Sequence, residues 1–195
     1  MTQAKPDSLW VSQDEYDALI EQLALKVFES GFKFDQLLCL ARGGLRVGDV
    51  LSRVFKVPLA ILATSSYRAA AGTEQGKLNI AQHITTTAGE LQGKLLLVDD
   101  MVDSGATFAA VSVHLLNAYP LLTEIKTAVL WQKASAAVAP DFVVSVLVTD
   151  PWIHQPFEAY DTTTLADLAE KWRSRHNKWR KCAIIEGCSD VNALK

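Results

Sequence analysis

The chain has 195 residues, 49% of them hydrophobic, and a formal charge of -3, so it is long enough for one domain with a substantial core and has no overall pull toward nucleic acid. No apolar run reaches the roughly 18 residues of a membrane span, and MTQAKPDSLW lacks the charged and apolar regions of a secretion signal, which together point to a cytoplasmic protein. Cys39, Cys182 and Cys188 lack the paired spacing of structural zinc and are expected to be reduced thiols.

Ser12 followed by Glu15 makes a capping box. Tyr16, Leu19, Ile20, Leu23, Val27 and Phe28 then recur at helical spacing, and Gly31 supplies a left-handed end. LLCLA (37–41), closed by ARGG, reads as a buried strand that leads through a tight loop into a helix with Val47, Val50, Leu51, Val54 and Phe55 on one face. LAILAT (59–64) is a second strand. The polar segment after it is too long for an ordinary connection; a flap over about residues 65–90 is expected, with a strand near 79–85. LLLV (95–98) is a third strand, feeding a helix over 106–118 that stops before Pro120. Further strands are predicted at about 125–131 and 142–149. A last helix opens at Thr164, with Asp167 as its capping partner, and runs into KWRSRHNKWRK (171–181). Unbroken Leu/Ile/Val/Ala runs imply strands covered on both faces, and their alternation with helices predicts a mostly parallel, twisted α/β sheet flanked by helices.

The chemistry concentrates in LLLVDDMVDSGATF (95–108), where Asp99, Asp100 and Asp103 follow a buried strand. Ligands of open parallel sheets sit beyond the carboxyl ends of the strands. Three carboxylates this close repel one another unless a cation or a hydroxyl-rich ligand shares the space. Ser104, Gly105 and Thr107 add hydroxyls and free N–H groups at a helix start, the usual surroundings of a phosphate. A sugar phosphate meets both requirements; the competing reading is a solvated acidic turn. Neither a Walker A lysine pattern nor GxGxxG occurs.

LLLVDDMVDSGAT closely resembles the phosphoribosyl-pyrophosphate (PRPP) motif of type I phosphoribosyltransferases. LARGGLRVGDVLSR, TSSYR, LLNAYP, WQKASA and DPWIHQPFE resemble, in the same order, the xanthine-guanine branch of the purine enzymes, from about residue 10 to about 160. The resemblance implies a phosphoribosyltransferase domain over residues 1–160 with a flexible hood, and a helical extension over 161–195 packed on it. It implies transfer of phosphoribosyl from PRPP to guanine, xanthine or hypoxanthine, with pyrophosphate leaving on Mg2+. By resemblance Arg42, Gly43 and Lys77 meet the pyrophosphate, with Arg68 as a second flap cation, and Asp99 and Asp100 bind the ribose hydroxyls, Asp100 also serving the metal. Asp103, Ser104, Gly105, Ala106 and Thr107 cradle the phosphate, and Asp103 is the catalytic base. Lys133 donates to the 6-oxo group, Trp152 stacks on the base, and the backbone of Ile153 reads its edge. Ala41 departs from the serine that relatives often carry. Relatives associate, so a homodimer or homotetramer is expected.

His83, His114, His154 and His176 lack metal spacing and are assigned no role. Trp172 and Trp179, seven apart, share a helical face and are read as packing on the body or on a partner subunit. The same basic, aromatic segment supports a rival from another class, a nucleotide-sensing RNA-binding regulator on a phosphoribosyltransferase fold.

Overall fold

The computed structural model describes the backbone of residues 8–68 and 75–185 and the side chains of residues 8–65 and 78–175. The chain divides into two units, Met1–Ile153 and His154–Lys195.

In the first unit, β1 (Ser8–Trp10) precedes α1 (Gln13–Glu29), which begins at the expected capping box: Ser12 Oγ accepts the Glu15 N–H at 3.3 Å, and the Glu15 carboxylate accepts the Ser12 N–H at 2.8 Å. Gly31, at φ +72°, turns the chain out of the helix. Tyr16, Ile20, Leu23 and Val27 are buried, but Phe28 is 64% exposed, contrary to the sequence reading. It lies one residue past the buried stripe and therefore rotates toward solvent, where the Lys33 ammonium sits 5.7 Å from its ring centre.

The sheet core is parallel. β2 (Gln36–Ala41) pairs with β3 (Leu59–Arg68) on one side and with β6 (Gly93–Val98) on the other. β6 continues to β8 (Leu122–Gln132), which also pairs with the short β7 (Met101–Val102) and with β9 (Phe142–Val146). Leu37, Leu38, Cys39 and Leu40 are all buried, as are Leu95 through Val98, which fits strands covered on both faces. On one face Leu38, Leu40, Leu62, Leu95, Leu97 and Val129 form a cluster with Phe108, Val111 and Leu115 of α3 (Ala106–Ala118). On the other face α2 (Leu45–Phe55) lies against β2, and α1 packs on α2, β8 and β9.

α2 buries Val47, Gly48, Leu51 and Ser52, and leaves Val54 60% exposed, so its inward stripe is turned from the predicted one. The cause is Gly48. A Cβ there would stand 2.6 Å from Cys39 Cβ, so the helix approaches β2 through its small residues.

The second strand also differs from expectation. β3 runs on to Arg68, with an irregularity after Ser66, and is met antiparallel by β4 (Gln75–Ile80) and β5 (Thr85–Thr86). The added strand therefore lies mostly before residue 79, and residues 81–84 are not strand. The polar sequence TSSYR (64–68) hides the continuation from a hydrophobicity pattern. Residues 69–74 of the expected flap lie outside the described residues.

Trp152 and Ile153 close the first unit on β10 (Trp152–His154), which pairs with β1 in a separate two-stranded sheet. The second unit holds a 3-10 turn, Glu158–Asp161, and α4 (Leu165–Ile185). Thr164 and Asp167 form the expected capping box: the Asp167 carboxylate accepts the Thr164 N–H at 2.9 Å, and Thr164 Oγ1 accepts the Asp167 N–H at 3.2 Å. Leu165 and Trp172 are exposed. Among the described residues no helix is long and apolar enough to cross a membrane.

Candidate active site

The strand order sets the location. From β2 the chain crosses through α2 to β3 on one side, and from β6 it crosses through α3 to β8 on the other, so the order reverses between the adjacent strands β2 and β6. Helices diverge at such a point and leave a crevice beyond the strand ends. Arg42–Gly43–Gly44 follows β2, and Asp99 and Asp100 follow β6.

The acidic turn is pinned to β8. The Asp99 N–H donates to the Ala128 carbonyl at 3.2 Å, and the Asp100 carbonyl accepts from the N–H groups of Leu130 and Trp131 at 2.9 and 3.3 Å. The side chains are held locally: Asp99 Oδ1 accepts the Asp100 N–H at 2.9 Å, and Asp100 Oδ1 accepts the Met101 N–H at 2.8 Å. Burial, and then the charge of Asp100, push the Asp99 carboxyl well above the usual carboxylate range, against the lowering effect of its amide donors.

Gly43 reaches both acids. A Cβ at this position would stand 2.6 Å from Asp100 Oδ1 and 2.8 Å from Asp99 Oδ1, so only a residue without a side chain fits. The Ala41–Arg42 peptide beside it is cis, and the exposed Arg42 side chain follows. Gly44 caps α2 without a side-chain bond. Behind the acids lies a dry region. Tyr16 is fully buried with its ring 6.0 Å from that of Trp131, and burial followed by the charge of Asp100 raises its phenol. Burial likewise pushes the Cys39 thiol up to about 12, as a structural thiol requires.

The turn continues through Asp103 and Ser104 to Gly105, which caps α3 at φ +87° with no side-chain hydrogen bond. Ser104 Oγ accepts the Ala106 N–H at 3.3 Å, and Thr107 is half-buried. The first-turn amides of a helix of this length, with two hydroxyls beside them, suit a phosphate.

The residues expected to meet a purine come from three segments. Lys133 follows β8, its N–H donating to the Val102 carbonyl at 2.9 Å, and its side chain is only 13% exposed. The ammonium lies 3.2 Å from Asp103 Oδ1, so the two residues that the sequence singles out for base and proton form an ion pair. Loop 133–138 then folds over the acidic turn: the Ala137 N–H donates to the Ser104 carbonyl at 3.1 Å, and a Cβ on Gly105 would stand 2.8 Å from Val138 Cβ. Trp152 is 49% exposed and Ile153 is buried. Ser135 and Asp150, which the sequence reading did not single out, are bonded to each other here at 3.0 Å. Their pairing spans fifteen residues and leaves no spacing signal. The side chains of Arg68 and Lys77 lie outside the described residues.

Among the described residues no cluster of three or more His, Cys, Asp or Glu forms a metal cage. Magnesium does not need one, since it takes one or two carboxylates and fills its shell with waters and phosphate oxygens. The adjacent Asp99 and Asp100 carboxylates are a donor set of that kind.

A family model described as phosphoribosyl transferase domain matches residues 12–162. The chain belongs to the phosphoribosyltransferase family. Members are pentosyl-transferring enzymes, and the match covers the first unit and runs into the second. Among solved structures, the fold is similar to a purine phosphoribosyltransferase from Pyrococcus horikoshii Ot3, at 29% identity over 77% of this chain and 93% of that one, with a TM-score of 0.64. It is also similar to a hypothetical protein from Neisseria gonorrhoeae with bound ppGpp, at 23% identity over 82% and 93% and a TM-score of 0.63. A third neighbour, the Helicobacter pylori xanthine-guanine-hypoxanthine phosphoribosyltransferase, has 24% identity over 79% and 97% and a TM-score of 0.62. The latter two show likeness of fold alone.

Proposed function

We propose that this phosphoribosyltransferase is a purine-salvage enzyme that transfers the 5-phosphoribosyl group of PRPP to guanine, xanthine or hypoxanthine and releases pyrophosphate. The observation that supports the reading is the Lys133–Asp103 pair at the acidic turn, a cation and a carboxylate 3.2 Å apart, the two groups that a 6-oxopurine and its attacking nitrogen call for. In this reading the ribose hydroxyls bond to Asp99 and Asp100, and the 5'-phosphate is held by the N–H and hydroxyl groups of Asp103, Ser104, Gly105, Ala106 and Thr107. Arg42, the Gly43 N–H and Lys77 meet the pyrophosphate as it departs.

The base enters between Trp152, which stacks on it, and Lys133, whose ammonium donates to the 6-oxo oxygen; the Ile153 backbone reads the far edge. As Lys133 turns to the oxo group, the Asp103 carboxylate takes the proton from the ring nitrogen that attacks the anomeric carbon. General-base help of this kind contributes about 10²–10⁴-fold. An adenine amino group is itself a donor and leaves Lys133 without an acceptor, a mismatch costing about 1–3 kcal/mol. Mg2+, bound through Asp100, would supply charge neutralisation for the leaving pyrophosphate. We place the enzyme in the cytoplasm as a homo-oligomer.

The test is a magnesium-dependent assay of purified protein with PRPP and each of guanine, xanthine, hypoxanthine and adenine. Nucleotide should form with at least one oxopurine much faster than with adenine, and should cease in the presence of a chelator. No nucleotide from any base would remove the assignment.

A further inference from the structure

Loop 133–138 is held from two sides. On one side it is bonded to the acidic turn, through the Ala137 N–H to the Ser104 carbonyl at 3.1 Å and the Ser135 hydroxyl toward the Asp103 carbonyl at 3.5 Å. On the other side a carboxylate reaches it from fifteen residues away: Asp150 Oδ1 accepts the Ser135 N–H at 3.0 Å. Asp150 stands two positions before Trp152 and three before the buried Ile153. This bond therefore links the segment carrying Trp152 to the loop that begins at Lys133.

We infer that Asp150 is a positioning residue that sets Trp152 and Ile153 against Lys133, and thereby fixes the width of the slot for the base. The inference deepens the proposed oxopurine reading and rests on it. Two features of the geometry support it. The main chain at Lys133 is held by its N–H on Val102, so the residue stands on one fixed side of the slot. The Asp150 contact is also made to a main-chain N–H, so it depends on an acceptor at residue 150 and not on the side chain of Ser135. A carboxylate accepting an N–H is among the stronger hydrogen bonds, and its direction is fixed by the short Asp side chain. Asp150 is exposed and adds little to the core, so its loss should displace the segment while leaving the fold intact.

The Asp150 bond is made to the loop that follows Lys133, so its effect should be confined to the base. Asp150→Ala is expected to raise the KM for the preferred oxopurine about tenfold, equivalent to about 1.4 kcal/mol, and to lower kcat several-fold through misplacement of the base. The KM for PRPP and the thermal midpoint should stay within error. Asp150→Asn retains an oxygen acceptor and should recover most of the purine KM, whereas a structural or purely electrostatic role predicts no such recovery.

The experiment is steady-state kinetics of the full-length protein and both variants, varying base and PRPP separately, with hydrogen exchange at the Ser135 amide. Exchange should quicken in Asp150→Ala and be slowed again in Asp150→Asn. An unchanged purine KM in Asp150→Ala, an equal rise in both KM values, or failure of Asp150→Asn to recover would each overturn the inference. If the wild-type protein itself forms no nucleotide, the oxopurine assignment falls and this inference falls with it. An active wild type with an indifferent Asp150→Ala removes the inference alone.

Discussion

Asp99 and Asp100 are held by the strand next to them, whereas Lys133, Ser135 and Asp150 are held by bonds between segments far apart in sequence. In the acidic turn the carbonyls and N–H groups continue the β6–β8 ladder, and each carboxylate accepts the amide that follows it. That geometry is inherited from the sheet. At the base end the Lys133 N–H continues the ladder to Val102 and β10 pairs with β1, but these pieces are joined to the acidic turn through an ion pair, a side-chain carboxylate and an amide-to-carbonyl contact between loops. The difference teaches where change is tolerated. Altering the acidic turn disturbs the core strands, while the cluster around Lys133 can be changed by single loop residues.

The largest effect should come from the residue that joins the two ends. Asp103→Asn keeps the shape of the carboxylate but cannot accept a proton, so kcat is expected to fall about 10²–10⁴-fold. The KM for PRPP should change little. Single-turnover measurement separates the two, and a kcat within threefold of wild type would contradict the assignment. If the KM for PRPP moved as much as kcat, Asp103 would belong to the phosphate cradle and not to the chemistry.

The same contrast explains what could be read in advance. The acidic turn, the capping boxes of α1 and α4 and the full span of α3 follow from local chemistry: Ser12 needs Glu15 three residues on, and Gly105 must precede the helix that it caps. The orientation of α2 was hidden, because it depends on Gly48 meeting Cys39, and a glycine carries no hydrophobic signal. The continuation of β3 through Ser65 and Ser66 to Arg68 was hidden for a related reason. It is made by main-chain pairing with β4, which leaves no hydrophobic pattern in the sequence. Ser135 and Asp150 were silent altogether, since a hydrogen bond between a main-chain amide and a distant carboxylate has no sequence period. Sequence thus reports what neighbours in the chain do for each other, and the base end is built by residues that are not neighbours.

Next in size is Gly43→Ala, which tests whether the phosphoribose end is as rigid as its ladder implies. The added methyl would stand within 2.8 Å of an oxygen on each acid, and both acids already hold amides. Overpacking of this kind costs about 1–3 kcal/mol; where the acids swing aside to relieve it and PRPP must draw them back, that cost reappears as roughly a 5- to 150-fold loss in PRPP affinity. Calorimetry with PRPP and Mg2+ measures it. Undiminished affinity would mean that the acids can move aside, and the contrast between a rigid end and a tunable one would fail.

Lys133→Met should act at the other end, and more gently. Methionine keeps the apolar stem but removes the donor, so kcat/KM for the oxopurines should fall about tenfold while the poor activity with adenine stays the same or rises. Comparing the ratio of the two bases in wild type and variant isolates discrimination from general damage. An equal fall with both bases would show that Lys133 serves mainly to hold Asp103.

The smallest effect is also the one that runs against intuition. Asp99 is a half-buried carboxylate beside a second carboxylate, and its raised pKa states that the ionised form is disfavoured in the fold without ligand. For such a group the sign is fixed: stability is complete below the unfolded pKa and is lost as pH rises through the higher folded value. At neutral pH the carboxyl therefore costs the fold stability, and Asp99→Asn should raise the thermal midpoint by the equivalent of about 0.5–2 kcal/mol while reducing PRPP binding. The gain should shrink as the pH is lowered, because protonation relieves the wild type of the same repulsion. Thermal unfolding at neutral and at acid pH, without substrate, measures both. If Asp99→Asn were less stable than wild type at neutral pH, the bonds that Asp99 accepts would outweigh the cost of its charge, and the acidic turn would be a stabilising element of the fold instead of a strained site kept for its ligand.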